Sequence, residues 1–423
     1  MRFANPKVAK INNSTFTPEV ELFFSKIRSN FNTMTRPAVL LLILLALFVQ
    51  NCDSLSKSRM EKQVNENSPE KDASSVVMRN GKIKGAQALP NVLTHRELDT
   101  FGLPFMDEKL VAGLQHQLRL LRTYRQSSNW NIGGQRITKS QLENTVRMLL
   151  EWQYTFPTDL QNQLDAYQLR GEDGRGNVYF TGYFTPVINA KDAPDEKFKY
   201  PIYGRPENWV GPLPSRKEIE GKKQILNNRN LEIAFADNPV DIYFMQVQGS
   251  GFIKFPNKKT TYLAFDGTNR HPYRSISKYI TRNKMMPPKS DLTMETIKNF
   301  LDENLHLRDS VLQQNPSYTF FRKKGGRPLG AGNVQLTEDY SIAVDKRYIP
   351  LGSVLLAAIP EFDKNGNCIG HQYRFLMAQD VGGQIGGPGH IDLYCGVGKE
   401  AQIKASRFHH YGRLWILLPK EQT

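Results

Sequence analysis

The segment AQDVGGQIGGPGHIDLYCG, residues 378–396, contains two aspartates on either side of a glycine-rich run. Asp380 precedes the run and Asp392 follows it. The residues between them include five glycines and one proline but no other acidic residue. Because glycine permits tight turns and close approach of a ligand to the main chain, this segment indicates a loop with a functional role. It leaves open whether the carboxylates only stabilise the loop or act on a ligand.

The sequence around this segment is typical of short β-strands. Aromatic and β-branched residues are concentrated in stretches that glycine and proline separate, as in all-β domains. The predicted strands are 178–190, 240–255, 260–267, 341–359, 373–383, 390–396 and 412–418. Short strands with frequent glycine are typical of compact β-barrels, so most of the chain is predicted to be β.

Helical periodicity marks the region before the strands. Leucines recur on one helical face at positions 110, 114, 118 and 121. Thr138 and Gln141 form a capping-box pattern at the start of a second apolar repeat. A further short helix is predicted at 291–303, between predicted strands.

The N-terminal region contains a twelve-residue apolar run, AVLLLILLALFV, at 38–49. A membrane-spanning helix needs about 20 residues, so this run fits the apolar part of a secretory signal peptide better. We predict a signal peptide within residues 1–51, with Met34 as an alternative start. Polar residues dominate 52–90, which we predict to be a flexible tether. VQNC resembles a bacterial lipoprotein signal, which implies acylation of Cys52.

Size and composition limit the classes of protein. The chain has 423 residues, 39% of them hydrophobic, and a formal net charge of +15. This excludes a wholly disordered chain and suits contact with anionic lipid or an acidic cell-wall polymer. No nucleic-acid motif is present, and nucleic acid is not predicted as a partner. No cofactor or metal is predicted, and the spacing of Cys368 and Cys395 does not decide whether they pair.

Three aspartate motifs carry a resemblance to a known family. Asp345 in AVDKRYIPLG, Asp380 in AQDVGG and Asp392 in HIDLY resemble the three aspartates of the 3D domain, a double-psi β-barrel of cell-wall-active proteins. Seven other segments are similar to those of the membrane-bound lytic murein transglycosylase A family: TGYFTPV, YPIYGRP, MQVQGSG, DGTNRHPY, NPSYTFF, GAGNVQLT and FHHYGRLWIL. The resemblance extends over residues 95–420.

This resemblance implies an architecture and a location. A double-psi β-barrel would be formed by residues 91–186 and 325–423, and a second, smaller β-barrel at 187–324 would be inserted into it. Peptidoglycan glycan strands would lie in the groove between the two. The protein would be lipid-anchored in the cell envelope, facing the periplasm, at the outer rather than the inner membrane. Proteins of cell-wall synthesis or hydrolysis complexes would be further partners.

The resemblance also implies a reaction, the cleavage of the β-1,4 bond between N-acetylmuramic acid and N-acetylglucosamine. The muramyl 6-hydroxyl attacks its own anomeric carbon and leaves a 1,6-anhydro end. Because this nucleophile is tethered, one carboxyl group can act first as acid and then as base. Asp392 would be that group, and Asp380 and Asp345 would support the loop by accepting backbone hydrogen bonds. If HIDLY is a strand, Ile391 and Leu393 point away from Asp392 toward the barrel core, and Asp392 faces the groove.

Candidate substrate-binding residues come from three motifs. Gln246, Gln248 and Ser250 alternate along the predicted strand 240–255, so their side chains would share one face. The full set is Thr181, Gly182, Tyr183, Gln246, Gln248, Gly249, Ser250, Gly251, Gly382 and Gly383.

Two alternatives remain open from the sequence. A double-psi barrel lipoprotein can bind polysaccharide without cutting it. An inverting hydrolase could use Asp380 and Asp392 as its two carboxylates. The chemical ends of the digestion products distinguish all three possibilities.

Overall fold

The computed structural model describes residues 104, 106–132, 135–152, 162–171, 173–287, 290, 292–365 and 367–420. The predicted signal peptide, Cys52 and the tether lie outside these residues. Within the described ranges, no helix has both the length and the apolar character that a membrane crossing requires.

The described residues form eight helices and fifteen strands. The helices are α1 (Glu108–Arg122), α2 (Lys139–Trp152), α3 (Arg216–Glu220), α4 (Pro239–Gln248), α5 (Ile276–Arg282), α6 (Met294–Glu303), α7 (Leu305–Leu312) and α8 (Gly398–Arg407). The strands are β1 (Asn129–Ile132), β2 (Gln135–Thr138), β3 (Leu164–Gln168), β4 (Val178–Thr185), β5 (Val187–Lys191), β6 (Tyr200–Tyr203), β7 (Glu232–Ala236), β8 (Gly251–Lys254), β9 (Thr260–Thr268), β10 (Thr319–Lys324), β11 (Ser341–Ala343), β12 (Val354–Phe362), β13 (Cys368–Asp380), β14 (His390–Val397) and β15 (His409–Pro419).

Helices α1 and α2 begin where their capping residues predict. The Asp107 carboxylate accepts a hydrogen bond of 2.7 Å from the N–H of Leu110. At the start of α2, the N–H of Gln141 donates to Thr138 Oγ1, and the N–H of Thr138 donates to Gln141 Oε1, which is the predicted capping box. The leucine-rich faces of both helices are buried in the largest apolar core, together with residues of β3, β4 and β11 to β15.

Six strands close into a barrel. Their order is β12-β13-β11-β14-β4-β15, and β12 pairs again with β15, while β3 extends the sheet beside β15. The β11–β13 and β14–β4 pairs are parallel, and the other pairs are antiparallel. Closure leaves no free strand edge among these six strands, and it confirms the predicted double-psi barrel.

A second sheet has the order β10-β9-β8-β5-β7-β6, and all its strands come from the stretch between β4 and β11. Its two outer strands, β10 and β6, contact each other, so the sheet curls towards a smaller barrel. A separate apolar cluster forms among α4, α5, α6 and α7 beside this sheet. The predicted mainly β fold with an inserted β domain is confirmed, although the inserted stretch contains more helix than the sequence predicted.

The predicted strand 240–255 is wrong over most of its length. Residues 239–248 form α4, and only Gly251–Lys254 form a strand. The helix begins because the Asn238 side chain accepts from the N–H of Val240 and Pro239 occupies the first turn, where its missing N–H costs nothing. It ends at Gly249, which adopts the left-handed conformation with φ 83°. The aromatic and β-branched residues that suggested a strand are instead side chains of this helix, and most of them are buried.

Close packing at Gly182 generates a testable prediction. A Cβ added there would lie 2.7 Å from Cα and 2.9 Å from the carbonyl oxygen of Ala405 in α8, and neither backbone atom can easily move. We expect Gly182→Ala to lower stability by about 1–3 kcal/mol, measured by denaturant unfolding.

Gly383→Ala is the matched control, because nothing lies within 4 Å of the added Cβ. It should leave stability unchanged or slightly raised. Equal stability of the two variants would show that α8 does not restrict β4.

Candidate active site

The barrel strands place Asp380 and Asp392 in one row across the sheet. Ala343 on β11 pairs with Asp380 on β13 and, on its other side, with Asp392 on β14. Asp392 pairs in turn with Thr181 on β4. Residues in register on neighbouring strands point to the same face, so the two carboxyl groups share one face across the small Ala343 side chain.

The opposite face of β14 belongs to the barrel core. Ile391, Leu393 and Cys395 are fully buried in the largest apolar cluster. This alternation is the one predicted from HIDLY, and it turns Asp392 away from that core. A smaller apolar cluster of Tyr183, Leu336, Ala343, Ile385 and Tyr394 lies among the residues of the aspartate face.

Asp392 is half-buried and has one side-chain donor. The hydroxyl of Thr181 donates to its Oδ1 over 2.9 Å. Burial raises the pKa of Asp392 to about 7, the hydrogen bond from Thr181 opposes the rise, and the nearby charge of Asp380 adds to it. A carboxyl group with this pKa is substantially protonated at neutral pH, as a general acid must be.

His390 lies next to this pair, on the same face of β14. Its Nε2 is 3.0 Å from Thr181 Oγ1. Burial lowers the pKa of His390, so the ring is neutral at neutral pH. When the Thr181 hydroxyl donates to Asp392, its oxygen accepts from the Nε2–H of His390. The short chain His390, Thr181, Asp392 therefore fixes the orientation of the carboxyl group.

Asp380 is held by three donors. The N–H groups of Ala331 and Val381 donate to Oδ1 over 2.7 and 2.9 Å, and the Tyr183 hydroxyl donates to Oδ2 over 2.9 Å. Burial raises the pKa of Asp380, and these hydrogen bonds oppose the rise. The predicted backbone hydrogen bonds are present, and they join the ends of two separate loops.

Asp345 stabilises the glycine-rich loop from its other end. Its carboxylate accepts from the Nε and N–H of Arg347 and, over 3.0 Å, from the N–H of Gly387. Burial acts to raise the pKa of Asp345, but the Arg347 and backbone hydrogen bonds outweigh it and lower the pKa. Asp345 is therefore a permanent carboxylate that ties the loop to the turn after β11.

The structure separates the predicted polar residues of MQVQGSG. The Gln246 side chain is buried and its Oε1 accepts from the guanidinium of Arg216, so it presents nothing to a ligand. Gln248 ends α4, and its Oε1 accepts from the N–H of Phe184 on β4 over 3.0 Å. Gly249 and Ser250 form the half-exposed turn after α4. The two glutamines do not alternate on a strand, because that strand is absent there.

The remaining predicted residues differ in their surroundings. Tyr183 is buried and bonded to Asp380, so it orients that carboxylate and does not stack on a sugar. Gly182 and Gly251 are packed tightly, against Ala405 and against Met245 respectively. Gly382 would meet Ile385 if it carried a Cβ, whereas Gly383 is exposed and open.

Three aromatic rings form a group beside the aspartate row, and the sequence analysis did not predict that they would meet. The ring centroid of Tyr179 lies 5.6 Å from that of His390 and 5.2 Å from that of Tyr411. All three rings are half-buried. His390 and Tyr179 lie two residues before Asp392 and Thr181 on the same two strands, and Tyr411 pairs with Tyr179. Register between three strands brings them together, so no local sequence signal could have identified the group.

The described ranges contain no group of three or more His, Cys, Asp or Glu side chains that could hold a metal ion. Cys368 and Cys395 are not joined by a disulfide bond, which answers the pairing question left open by their spacing.

A closed barrel built around these three aspartates defines a 3D-type double-psi barrel protein. Residues 340–418 match the family model described as the 3D domain, and residues 179–322 match the MltA specific insert domain. The chain is 40% identical over 259 residues to membrane-bound lytic murein transglycosylase A of Escherichia coli K12, a match covering 60% of this chain and 69% of that one. The chain therefore belongs to the membrane-bound lytic murein transglycosylase A family.

Solved structures agree with this assignment. The crystal structure of E. coli MltA with bound chitohexaose has a TM-score of 0.64 and 30% identity, covering 81% of this chain and 97% of that one. A membrane-bound lytic murein transglycosylase from Agrobacterium tumefaciens has a TM-score of 0.63 and 25% identity, covering 74% and 92%.

The raised pKa of Asp392 predicts a pH-dependent effect on stability. In the unfolded chain an aspartate titrates at about 3.9, so the folded protein binds more protons than the unfolded one between that pH and about 7. Stability from this group is complete below the unfolded pKa and is lost as the pH rises through the folded pKa. We expect Asp392→Asn to raise the melting temperature at pH 8 but to change it little at pH 4.

The comparison needs only thermal unfolding of wild type and variant at both pH values. An equal shift at the two pH values would mean that the Asp392 carboxyl group is not desolvated in the folded protein.

Proposed function

We propose that this chain is a lytic transglycosylase that cleaves the β-1,4 bond between N-acetylmuramic acid and N-acetylglucosamine in murein. The observation that carries the proposal is the environment of the Asp392 carboxyl group. This group lies beside Thr181 on one face of the barrel, and burial raises its pKa to about 7. Membership of the lytic murein transglycosylase A family supplies the class of substrate.

In the first step, protonated Asp392 donates its proton to the oxygen that links the two sugars. The bond between that oxygen and the muramyl anomeric carbon breaks, and the N-acetylglucosamine unit leaves with a free hydroxyl. Thr181 supports this step because its hydroxyl donates a hydrogen bond to Oδ1 of Asp392. The acidic proton of Asp392 is therefore carried by Oδ2.

In the second step, the Asp392 carboxylate takes the proton of the muramyl 6-hydroxyl as that oxygen bonds to the anomeric carbon. The product is a 1,6-anhydro end, no water is consumed, and Asp392 is protonated again. A pKa of about 7 suits a group that must both give and take a proton near neutral pH.

The two-carboxylate hydrolase is less well supported by the surroundings of Asp380. An inverting enzyme needs a base that activates water, but the oxygens of Asp380 already accept from Ala331, Val381 and Tyr183. We propose that Asp380 and Asp345 instead fix the loop between β13 and β14. A binding module without activity would not need a carboxyl group with so high a pKa.

We further infer that murein glycan strands lie between the barrel and the inserted domain, with domain limits at 91–186, 187–324 and 325–423. The turn at Gly249 and Ser250 faces open space beside Gln248, which bonds to β4. Tyr179 and Tyr411 supply half-buried ring surface one strand repeat from Asp392. Aromatic rings of this kind suit sugar faces.

The protein is associated with the cell envelope, and we propose a lipid anchor at Cys52 that faces the periplasm at the outer membrane. The support is the apolar run 38–49 followed by VQNC. Contacts with other cell-wall enzymes are part of the same proposal.

Substitution of the two aspartates tests the mechanism. Asp392→Asn should reduce formation of 1,6-anhydro ends from purified sacculi by about 10⁴-fold or more, because one group performs both proton transfers. Asp380→Asn should retain part of the activity and lower the melting temperature, because Asp380 holds a loop. The products are identified by mass spectrometry.

Two results would contradict the mechanism. Substantial activity of a folded Asp392→Ala variant would remove Asp392 as the acid. Products with free reducing ends from the wild type, with both aspartates equally essential, would identify an inverting hydrolase.

The anchor is tested separately. Cys52→Ser should move the protein from the membrane fraction to the soluble fraction without loss of activity, since acylation needs the thiol. Unchanged membrane fractionation of the variant would exclude an anchor at Cys52.

A further inference from the structure

A cavity on the inserted domain shares no residue with the Asp392 site. Its volume is about 420 Å³, and it lies between the segments 205–213 and 269–272. These segments include the end of YPIYGRP, residues 205–206, and the middle of DGTNRHPY, residues 269–272, two motifs to which the proposed cleavage chemistry assigns no role. The cavity therefore needs its own explanation.

The cavity has a positive character. Arg205 and Arg270 line it and are both exposed, and Glu207 is its one acidic lining residue. In the part of the chain that the structure describes, neither guanidinium forms an ion pair. Arginines without a carboxylate partner in a concave site suit an anionic ligand, because the planar guanidinium binds a carboxylate through two parallel hydrogen bonds.

The backbone that displays Arg270 is held in a strained conformation. Its φ is 62°, in the left-handed region that is costly for an arginine. The preceding Asn269 is buried, and its amide donates to the carbonyl oxygens of Pro214 and Pro316, both over 2.8 Å. Its Oδ1 accepts from the N–H of Tyr318 over 2.8 Å. Such strain persists only where the surroundings fix it, and it is concentrated at functional sites.

The wall of the cavity is also fixed. The indole N–H of Trp209 donates to the carbonyl oxygen of Pro212 over 3.1 Å, and the guanidinium of Arg229 lies 5.0 Å from the ring centroid. The Nε2 of His271 is 2.9 Å from the carbonyl oxygen of Leu213. The cavity thus combines two free guanidinium groups with a rigid aromatic wall, which fits a carboxylate attached to an organic chain.

We propose that this cavity binds a carboxylate of the stem peptide of murein. The identity of the ligand rests on the proposed function: the muramyl units of murein carry short peptides whose free carboxylates are the main anionic groups of the polymer. Arg205 and Arg270 bind the carboxylate, and Trp209 contacts the chain that bears it. The inserted domain would then recognise the peptide while the barrel cleaves the glycan.

Calorimetric titration with N-acetylmuramyl tetrapeptide tests the proposal, with the same compound carrying amidated peptide carboxyl groups as the comparison ligand. The wild type should bind the free carboxylate form about 10- to 100-fold more tightly, the range expected for hydrogen bonds between charged groups. Arg205→Gln and Arg270→Asn should each remove most of this preference. Asparagine tolerates the left-handed backbone, so the second variant should fold.

Arg282→Gln, which removes an exposed arginine of α5 outside the cavity, is the matched control and should keep the preference. Equal binding of the two ligands by the wild type, or an undiminished preference in folded Arg205→Gln and Arg270→Asn, would overturn the proposal. Formation of 1,6-anhydro ends by the wild type from peptide-free glycan tests the proposed cleavage alone. Failure of the cavity and failure of the activity are therefore distinguishable.

Discussion

Burial of the Asp392 carboxyl group is the constraint on which the proposed active site depends. An exposed aspartate would be fully ionised at neutral pH and could not protonate a leaving oxygen. The apolar cluster around Tyr183 and Tyr394 desolvates this face of the barrel, and the Asp380 charge opposes ionisation further. One donor, Thr181, limits the rise, which suits the proposed mechanism because the group must also lose its proton there.

The stability of the closed barrel offsets the free-energy cost of burying this carboxyl group. A desolvated carboxyl group destabilises the folded state at neutral pH, and the surrounding structure must offset this cost. Here the opposite face of β14 contributes Ile391 and Leu393 to an extensive apolar core that includes both N-terminal helices. Register across four strands, β13, β11, β14 and β4, then sets the surroundings of Asp392: Ala343 separates the two aspartates with a small side chain, and β4 supplies Thr181 in the same row.

Local signals in the sequence predicted a good part of this arrangement. The capping box at Thr138 located α2, and the alternation in HIDLY predicted which way Asp392 points. The strand predicted at 240–255 failed because hydrophobic content was weighed above Asn238, Pro239 and Gly249, which are ordinary start and stop signals of a helix. The resemblance supplied the family, but it could not place Gln246 in a buried pair with Arg216.

Contacts between distant segments were beyond any local pattern. Thr181 and Asp392 are 211 residues apart in the chain, and their hydrogen bond exists only because β4 and β14 pair in parallel.

The chain passes directly from the barrel strand β4 into the inserted domain. Only Pro186 separates β4 from β5, and its carbonyl oxygen accepts from the N–H of Phe252 on β8 over 2.8 Å. Because proline restricts φ and this bond fixes the carbonyl, β4, which carries Thr181, continues stiffly into β5, the first strand of the inserted sheet. The return crossing contains Gly325 and Gly326, and a Cβ added at either would meet no atom within 4 Å, so this connection is packed less closely than the one at Pro186.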